Sequence, residues 1–356
     1  MLWFLGIGIY GISGMSRKAS EVLEACDIIY VEKFTSLVSD KDIKTLQSSP
    51  SYQNKKVVTV QRSFIEDGRQ IIREAADSNI VLLSYGDPMV ATTLNELRLR
   101  ALDNGIKVSV IYGISGITSL VNECGLQTYR IGKIVTMMED AQSGISVYNT
   151  IYNNLQINCH TLILGEYRYN EDDTIFFLSP KEIMNNLDRT EKDLKFEIIN
   201  GDTFLIVASR IGTEFQKIVS GKIKSLLKID FGDGPHTLIY PSKLHFMEEK
   251  GVLKLTTSID SPSGITVLTD NISTRMMNRY LPMIREEISK LRNLNTASTE
   301  VNETILEILD NAEYYVDDSL NFKAQGKNEL AILSIGYADG LVDCINWLLR
   351  KKKKIV

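Results

Sequence analysis

Four aliphatic residues in a row, Ile80–Leu83, run straight into Ser84-Tyr-Gly-Asp-Pro-Met-Val-Ala-Thr-Thr93, after which Val90, Leu94, Leu97 and Ala101 recur at helical spacing. An apolar run without polar alternation suits a strand covered on both faces, and Gly-Asp-Pro ends it. Strand, tight loop and helix in that order make one α/β unit. The loop then falls at the carboxyl end of the strand, where open α/β sheets bind ligands. The rhythm repeats over residues 1–125. Leu2–Ile9 reads as a buried strand, and Met15, Ala19, Val22, Leu23 and Cys26 keep helical spacing. Residues 27–31 and 57–60 read as short strands, Ser63 and Glu66 as a capping box for a helix ending near Asp77. A helix ending at Gly105 leads to a strand at Val108–Tyr112. The pattern predicts an α/β domain with a mostly parallel sheet between two helical layers.

Residues 126–250 have another texture. Strands are expected at Lys133–Met137, His160–Leu164, Thr203–Ser209 and Thr237–Tyr240, and helices at Ser143–Leu155, Pro180–Leu187 and Ile218–Leu227. This reads as a second α/β domain of mixed strand order. Residues 251–270, with Ser261-Pro-Ser-Gly264, read as a linker. From 271 to 356 the pattern is helical throughout: Ser273–Asn293 with a Pro282 kink, Thr304–Phe322 broken at Gly326, and Glu329–Leu349. These three predict a small helical bundle.

Composition bounds the chemistry. A net charge of −5 argues against bulk nucleic-acid affinity, although Arg350-Lys-Lys-Lys-Lys354 leaves a local nucleic-acid contact open beside a merely solvated tail. Cys26, Cys124, Cys159 and Cys344 are scattered, so neither a disulfide framework nor a zinc site is expected, and no metal. The amino terminus lacks the basic and long apolar regions of a signal peptide, and no run approaches the ~18 apolar residues of a membrane span. A soluble cytoplasmic protein with no membrane partner is the expectation.

Several motifs have two readings. Gly6-Ile-Gly8-Ile-Tyr-Gly11 followed by Glu32 matches a dinucleotide fingerprint, but the strand before it is short and Gly11-Ile-Ser-Gly14 delays the helix. Asp87-Pro88 can cap a helix, or Asp87 can receive a ribose hydroxyl or an amine beside a glycine that admits a ligand. Ser115 in Gly113-Ile-Ser-Gly116 can cap the following helix or hold a small polar ligand. His236 follows a turn and is either structural or a general base. No P-loop and no G-x-S-x-G elbow is present.

The order of motifs over about residues 1–250 resembles the diphthine synthase family. The likeness rests on Leu5-Gly-Ile-Gly-Ile9, Tyr85-Gly-Asp-Pro-Met-Val-Ala-Thr-Thr93, Cys124-Gly-Leu-Gln-Thr-Tyr129, Ser209-Arg-Ile-Gly-Thr213 and Asp230-Phe-Gly-Asp-Gly-Pro-His236. The resemblance implies the tetrapyrrole-methylase fold, two α/β domains with S-adenosylmethionine in the cleft between them, and a homodimer. It implies methyl transfer to the amino group of a 3-carboxy-3-aminopropyl group on a histidine of translation elongation factor 2, repeated to a trimethylammonium, in diphthamide biosynthesis. Carried over residue by residue, it assigns cofactor contacts to Ile9, Asp87, Val90, Ser115, Gly116, Gly165, Ile211 and His236, and names no catalytic base. The chain departs from the family's usual residues at Ile114-Ser115-Gly116, Leu164-Gly165-Glu166, Arg210-Ile211-Gly212 and Gly234-Pro235. The alternatives are a corrin or porphyrin precursor as acceptor, and a non-catalytic translation-associated binding protein. The tail resembles a small archaeal helical domain of unknown function through Tyr314–Leu320 and Ala331–Leu341.

Overall fold

The aliphatic run at 80–83 is the centre of the first sheet. A computed structural model describes residues 1–34, 38–52, 54–170, 174–262, 272–294 and 300–352. Five parallel strands, β1 (Leu2–Gly6), β2 (Ile28–Glu32), β3 (Lys56–Val60), β4 (Ile80–Ser84) and β5 (Val108–Ile111), lie in the order β3-β2-β4-β1-β5. Helices α1 (Arg17–Ala25), α2 (Asp40–Ser48), α3 (Arg62–Asp67), α4 (Arg69–Asp77), α5 (Leu94–Asp103) and α6 (Gly116–Glu123) alternate with them. Successive residues of β4 point to opposite faces, and both faces are covered. Val81 and Leu83 pack with Leu23 and Leu46 on one side, and Ile80 and Leu82 with Ile71 and Leu97 on the other. Burial on both faces is why these strands lack polar alternation.

Because β1 sits between β4 and β5, the loops leaving these three strands meet at the carboxyl edge. Gly8 and Gly86 exchange backbone hydrogen bonds of 3.1 Å in both directions. The approach is so close that a Cβ on Gly113 would lie 2.0 Å from the Gly86 carbonyl oxygen, and one on Gly6 2.4 Å from it. No side chain fits at either position. Gly6 and Gly113 are thus required by the packing of three loops.

The second sheet is mixed. Strands β6 (Val135–Met137), β7 (Thr161–Gly165), β8 (Tyr167–Tyr169), β9 (Ile175–Phe177), β10 (Phe204–Ser209), β11 (Lys217–Lys222), β12 (His236–Tyr240) and β13 (Thr257–Ser258) follow in the chain, with α7 (Ala141–Gln156), α8 (Pro180–Leu194), α9 (Ile223–Leu226) and α10 (Phe246–Leu255) among them. Six form a sheet ordered β13-β11-β10-β12-β7-β6, and β8 and β9 pair as a separate hairpin. One face packs on α7 and α8 through Tyr148, Ile151, Ile183 and Leu187. The other carries Leu120, Val121 and Cys124 of α6 against Leu162, Ile206 and Ile239, and so joins the first lobe to the second sheet within one unit, residues 1–267.

A buried ionic cluster ties α10 to the start of β7. Glu248 accepts from Arg130, from His160 Nε2 at 3.0 Å, and from the backbone N–H groups of His245 (2.9 Å) and Gln127 (3.1 Å). Burial alone would raise its pKa, but the hydrogen bonds from His160 and the two backbone groups win and hold it at about 2.

Four expectations are corrected here. Residues 218–222 are strand β11 rather than helix: Ile218–Gly221 are all buried, and a continuous buried run has no period that separates strand from helix. The helix expected at 63–77 is two helices broken at Gly68, whose φ is +60°, and Gln61 rather than Ser63 is the N-cap. The strand from Leu2 ends at Gly6, before Ile9. The segment 251–258 is no linker, since α10 runs to Leu255 with Gly251 packed on Gly125, and β13 pairs with β11. Residues 263–270 of that expected linker lie outside the described residues.

The second unit, residues 268–356, contains α11 (Ile272–Leu294), α12 (Glu300–Ala324) and α13 (Asn328–Lys352). Pro282 lies inside α11, and Gly326, with φ +73°, stands between α12 and α13. Met277, Ile284, Ile288, Leu309, Ala331 and Ile345 meet in its core. Contrary to expectation, one helix among the described residues, Asn328–Leu349, is long and apolar enough to cross a membrane by length and composition alone. Its Ala331, Ile335, Ala338, Val342 and Ile345 face the bundle core. The basic run 350–354 extends beyond the described residues at 353.

Candidate functional site

A cavity of about 760 Å³ opens where the carboxyl edge of the first sheet faces the second sheet. That is within the ~300–1,000 Å³ usual for small-molecule sites. All eight residues singled out from the sequence line it. Ile9 comes from the loop after β1, Asp87 and Val90 from the loop after β4, and Ser115 with Gly116 from the turn into α6. From the second sheet come Gly165 at the end of β7, Ile211 after β10, and His236 at the start of β12.

The loop after β4 decides one of the open questions. Helix α5 begins at Leu94, seven residues beyond Asp87, so Asp87-Pro88 is not a helix start. Asp87 Oδ1 instead accepts from the Met89 N–H at 2.8 Å, bending the loop back on itself. Gly86 has φ +72°, and a Cβ there would meet only the Ile114 oxygen, 3.9 Å away. A Cβ on Gly116 would likewise meet only Ile9 Cγ2, at 3.6 Å. These two glycines leave open space where a side chain would otherwise intrude.

Ser115 is the cap that one of its readings expected, and it faces the cavity as well. Its side chain accepts from the Ile117 N–H at 3.3 Å as the N-cap of α6, and the same residue lines the cavity. The Arg210-Ile211-Gly212 turn presses on the first lobe, because a Cβ on Gly212 would fall 2.7 Å from Ile9 Cγ1. Arg210 is spent on this turn, donating to the carbonyls of Phe215, Phe231 and Asp233.

His236 is held in place as a neutral ring. Nδ1 lies 2.7 Å from Ser209 Oγ, and a backbone hydrogen bond ties the imidazole to Gly232. Burial, seconded by the Arg210 charge, lowers its pKa to about 4. At neutral pH the ring is therefore uncharged where it lines the cavity.

The fingerprint reading of Gly6-x-Gly8-x-x-Gly11 fails on geometry. A 3-10 turn, Gly11–Gly14, intervenes, and α1 starts only at Arg17 under a Ser16 cap. The glycine pattern therefore leaves no helix amino end on its third glycine to face a pyrophosphate. Glu32 is buried and accepts from the Phe34 N–H at 3.1 Å. Among the described residues, no group of three or more His, Cys, Asp or Glu is placed to hold a metal ion.

Sequence reading missed several residues that the cavity gathers: Phe34, Arg62, Tyr85, Glu166, Tyr167 and Arg168. The Tyr85 hydroxyl donates to the Ile9 carbonyl, and burial with the nearby Asp42 charge raises its pKa to about 12. Tyr167 and Arg168 belong to the β8–β9 hairpin. The Tyr167 hydroxyl donates to the Lys33 carbonyl, which brings the hairpin onto the first lobe. Arg168 stacks on Phe176 at 4.3 Å, with Nη2 on Glu139 at 2.7 Å and Nε on Glu166 at 3.3 Å. The available signal was the alternation Tyr167-Arg-Tyr169 and the apolar run Ile175-Phe-Phe177 on either side of a polar stretch of sequence.

Comparison with known proteins agrees with this geometry. Residues 1–227 match the tetrapyrrole (corrin/porphyrin) methylases, and residues 279–348 match a family described as protein of unknown function, DUF357. A diphthine synthase of Methanocaldococcus jannaschii is 36% identical over 262 residues, which are 73% of this chain and 100% of that protein. One of Staphylothermus marinus is 32% identical over 252 residues, 70% of this chain and 91% of that protein. A crystal structure of a diphthine synthase superposes with a TM-score of 0.62 at 29% identity, covering 72% of this chain and 96% of its own.

Proposed function

Since the chain belongs to the tetrapyrrole methylase family, we propose that it is a diphthine synthase, an S-adenosylmethionine-dependent methyltransferase that acts on the modified histidine of translation elongation factor 2. The observation that carries this reading is the convergence of eight residues, from six separate segments and two sheets, on one cavity. The relatives described above, matched over 91–100% of their own length, are diphthine synthases, which favours the protein acceptor over a tetrapyrrole.

The residues present fit the cofactor. Asp87 offers a carboxylate to hydroxyl or amine donors, and Ser115 a hydroxyl. Ile9, Val90 and Ile211 supply the apolar walls that an adenine ring needs, and Gly86 and Gly116 leave room for it. When bound, S-adenosylmethionine supplies a methyl group already made electrophilic by its sulfonium. The chain's task is placement and exclusion of water. The two lobes enclose the cavity from opposite sides, so an acceptor nitrogen entering it is confined against the cofactor-binding loops. Of the cavity guanidiniums, Arg62 donates to Glu66 and Arg210 to backbone carbonyls, while Arg168, held by Phe176, Glu139 and Glu166, is the one we assign to the acceptor's carboxylate. The acceptor amine must be neutral to attack, and no dedicated base is assigned to it.

The test is transfer of labelled methyl groups from S-adenosylmethionine to elongation factor 2 that carries the 3-carboxy-3-aminopropyl histidine. Incorporation at that residue is expected. Cofactor binding without transfer would refute the acceptor.

A further inference from the structure

The loops after β1 and β4 supply Ile9, Asp87 and Val90 to the cavity. Three hydrogen bonds join these loops. Two are the backbone exchange between Gly8 and Gly86 at 3.1 Å. The third comes from a side chain: the Tyr85 hydroxyl donates to the Ile9 carbonyl, one residue past that exchange. The Tyr85 ring packs, like Ile12 and Met15, against the core that holds Leu23 of α1 and Leu46 of α2. With a pKa of about 12, raised by burial and by the Asp42 charge, the hydroxyl keeps its proton and stays a donor at neutral pH. The chain beyond Ile9 is anchored separately. Asp42 of α2 accepts from the Ile12 N–H at 2.9 Å and from Ser39 Oγ at 2.6 Å. Residues 9–12 are therefore tied at one end by Tyr85 and at the other by Asp42.

What the Tyr85 bond secures is the placement of Ile9. This residue is 5% exposed and touches both lobes. A Cβ on Gly116, at the amino end of α6, would meet Ile9 Cγ2 at 3.6 Å, and one on Gly212, in the turn after β10, would meet Ile9 Cγ1 at 2.7 Å. Ile9 therefore stands between two glycines from different lobes and lines the cavity as well. Neither glycine has a side chain that could follow Ile9 if its backbone moved. In close packing of this kind a small backbone shift is carried straight to the wall. The backbone exchange at Gly8 fixes the loop up to that residue, and the Tyr85 hydroxyl extends the hold to Ile9 itself.

We propose that Tyr85 is a positioning residue for the cofactor: its hydroxyl, by holding the Ile9 carbonyl, sets the Ile9 wall against which S-adenosylmethionine binds. This rests on the methyltransferase reading above. Tyr85 lines the cavity too, so the experiment separates action through Ile9 from direct contact. It uses the full chain as wild type, Tyr85→Phe, Ile9→Ala, the two combined, and Tyr30→Phe. The last removes a tyrosine hydroxyl that donates to Glu74 on the opposite face of the same sheet. Each chain is titrated calorimetrically with S-adenosylmethionine and melted. Both single tyrosine variants should melt lower by about 2–4 °C, the scale of one lost hydrogen bond. Tyr85→Phe alone should also raise the dissociation constant, by roughly 3- to 10-fold. In methyl transfer its KM for the cofactor should rise in step while kcat stays within about twofold, the mark of lost binding rather than lost chemistry. Added to Ile9→Ala, it should weaken binding by less than about twofold more, because the two residues act as one unit. Three results would overturn the role and leave the methyltransferase standing: Tyr85→Phe binding as tightly as wild type while melting lower, an effect that adds in full to that of Ile9→Ala, or an equal loss of affinity in Tyr30→Phe. A wild type that does not bind S-adenosylmethionine would instead remove the reading beneath it.

Discussion

Replacing Asp87 separates a ligand-binding role from a purely structural one. Its Oδ1 holds the loop through the Met89 N–H at 2.8 Å, while the residue lines the cavity. Loss of a carboxylate's hydrogen bond to a ligand costs about 1–3 kcal/mol. Asp87→Ala should therefore raise the dissociation constant for S-adenosylmethionine by roughly 5- to 150-fold. The loop hydrogen bond is lost in the same variant, at about 1 kcal/mol of stability. Asp87→Asn retains an oxygen that can serve Met89 but surrenders the charge, so it should keep most of the stability and still lose affinity. Calorimetry gives the dissociation constant and denaturant unfolding gives the stability. Because α5 starts at Leu94, no helix cap is at stake. An Asp87→Ala chain that binds the cofactor as tightly as wild type but melts lower would refute the assignment and leave the residue a loop builder.

Four further outcomes are expected. Glu248 has its pKa depressed to about 2, so it contributes stability above the unfolded carboxylate value near 4.5 and loses it as pH falls toward 2. Glu248→Gln should cost about 3 kcal/mol at pH 7, and its difference from wild type in urea titrations should shrink across that window. His236, with a folded pKa near 4, should show neutral-ring NMR shifts down to about pH 5; since the unfolded ring protonates near 6.5, its share of stability falls as pH drops from there toward 4. Gly113→Ala forces a Cβ to 2.0 Å from the Gly86 oxygen and should destabilise the first lobe by about 3 kcal/mol while weakening cofactor binding, both read by thermal shift with and without ligand. Deleting residues 268–356 should leave methyl transfer intact, because a relative aligns over its whole length with only 73% of this chain; loss of transfer in a folded truncation would place the helical unit in the reaction.

What could be read from the sequence follows from which forces are local. The strands of the first sheet were legible because β1 and β4 are buried on both faces, and β1 ends at Gly6, where close packing leaves no room for a side chain. The same continuity of apolar residues concealed β11, where Ile218–Gly221 offered a helix and a strand equally. Asp87-Pro88 has the chemistry of a helix start, yet the turn to Met89 and four more residues precede α5, so local preference was overridden by the loop's place between the sheets. The eight cavity residues came from resemblance, not from periodicity, and the structure gathers them. Phe34, Tyr167 and Glu166 escaped because they line one cavity only with the β8–β9 hairpin held on Lys33, a contact spanning 134 residues of chain. The pairing of His160 with Glu248, 88 residues apart, was invisible for the same reason.

The claim beneath all of this is that the cavity between the two sheets holds a sulfonium nucleoside. Crystals of the full chain soaked with S-adenosylmethionine or its demethylated product should show density against Asp87, Ser115 and Ile211. Density at another place, or clear solvent there at a saturating dose, would contradict the account.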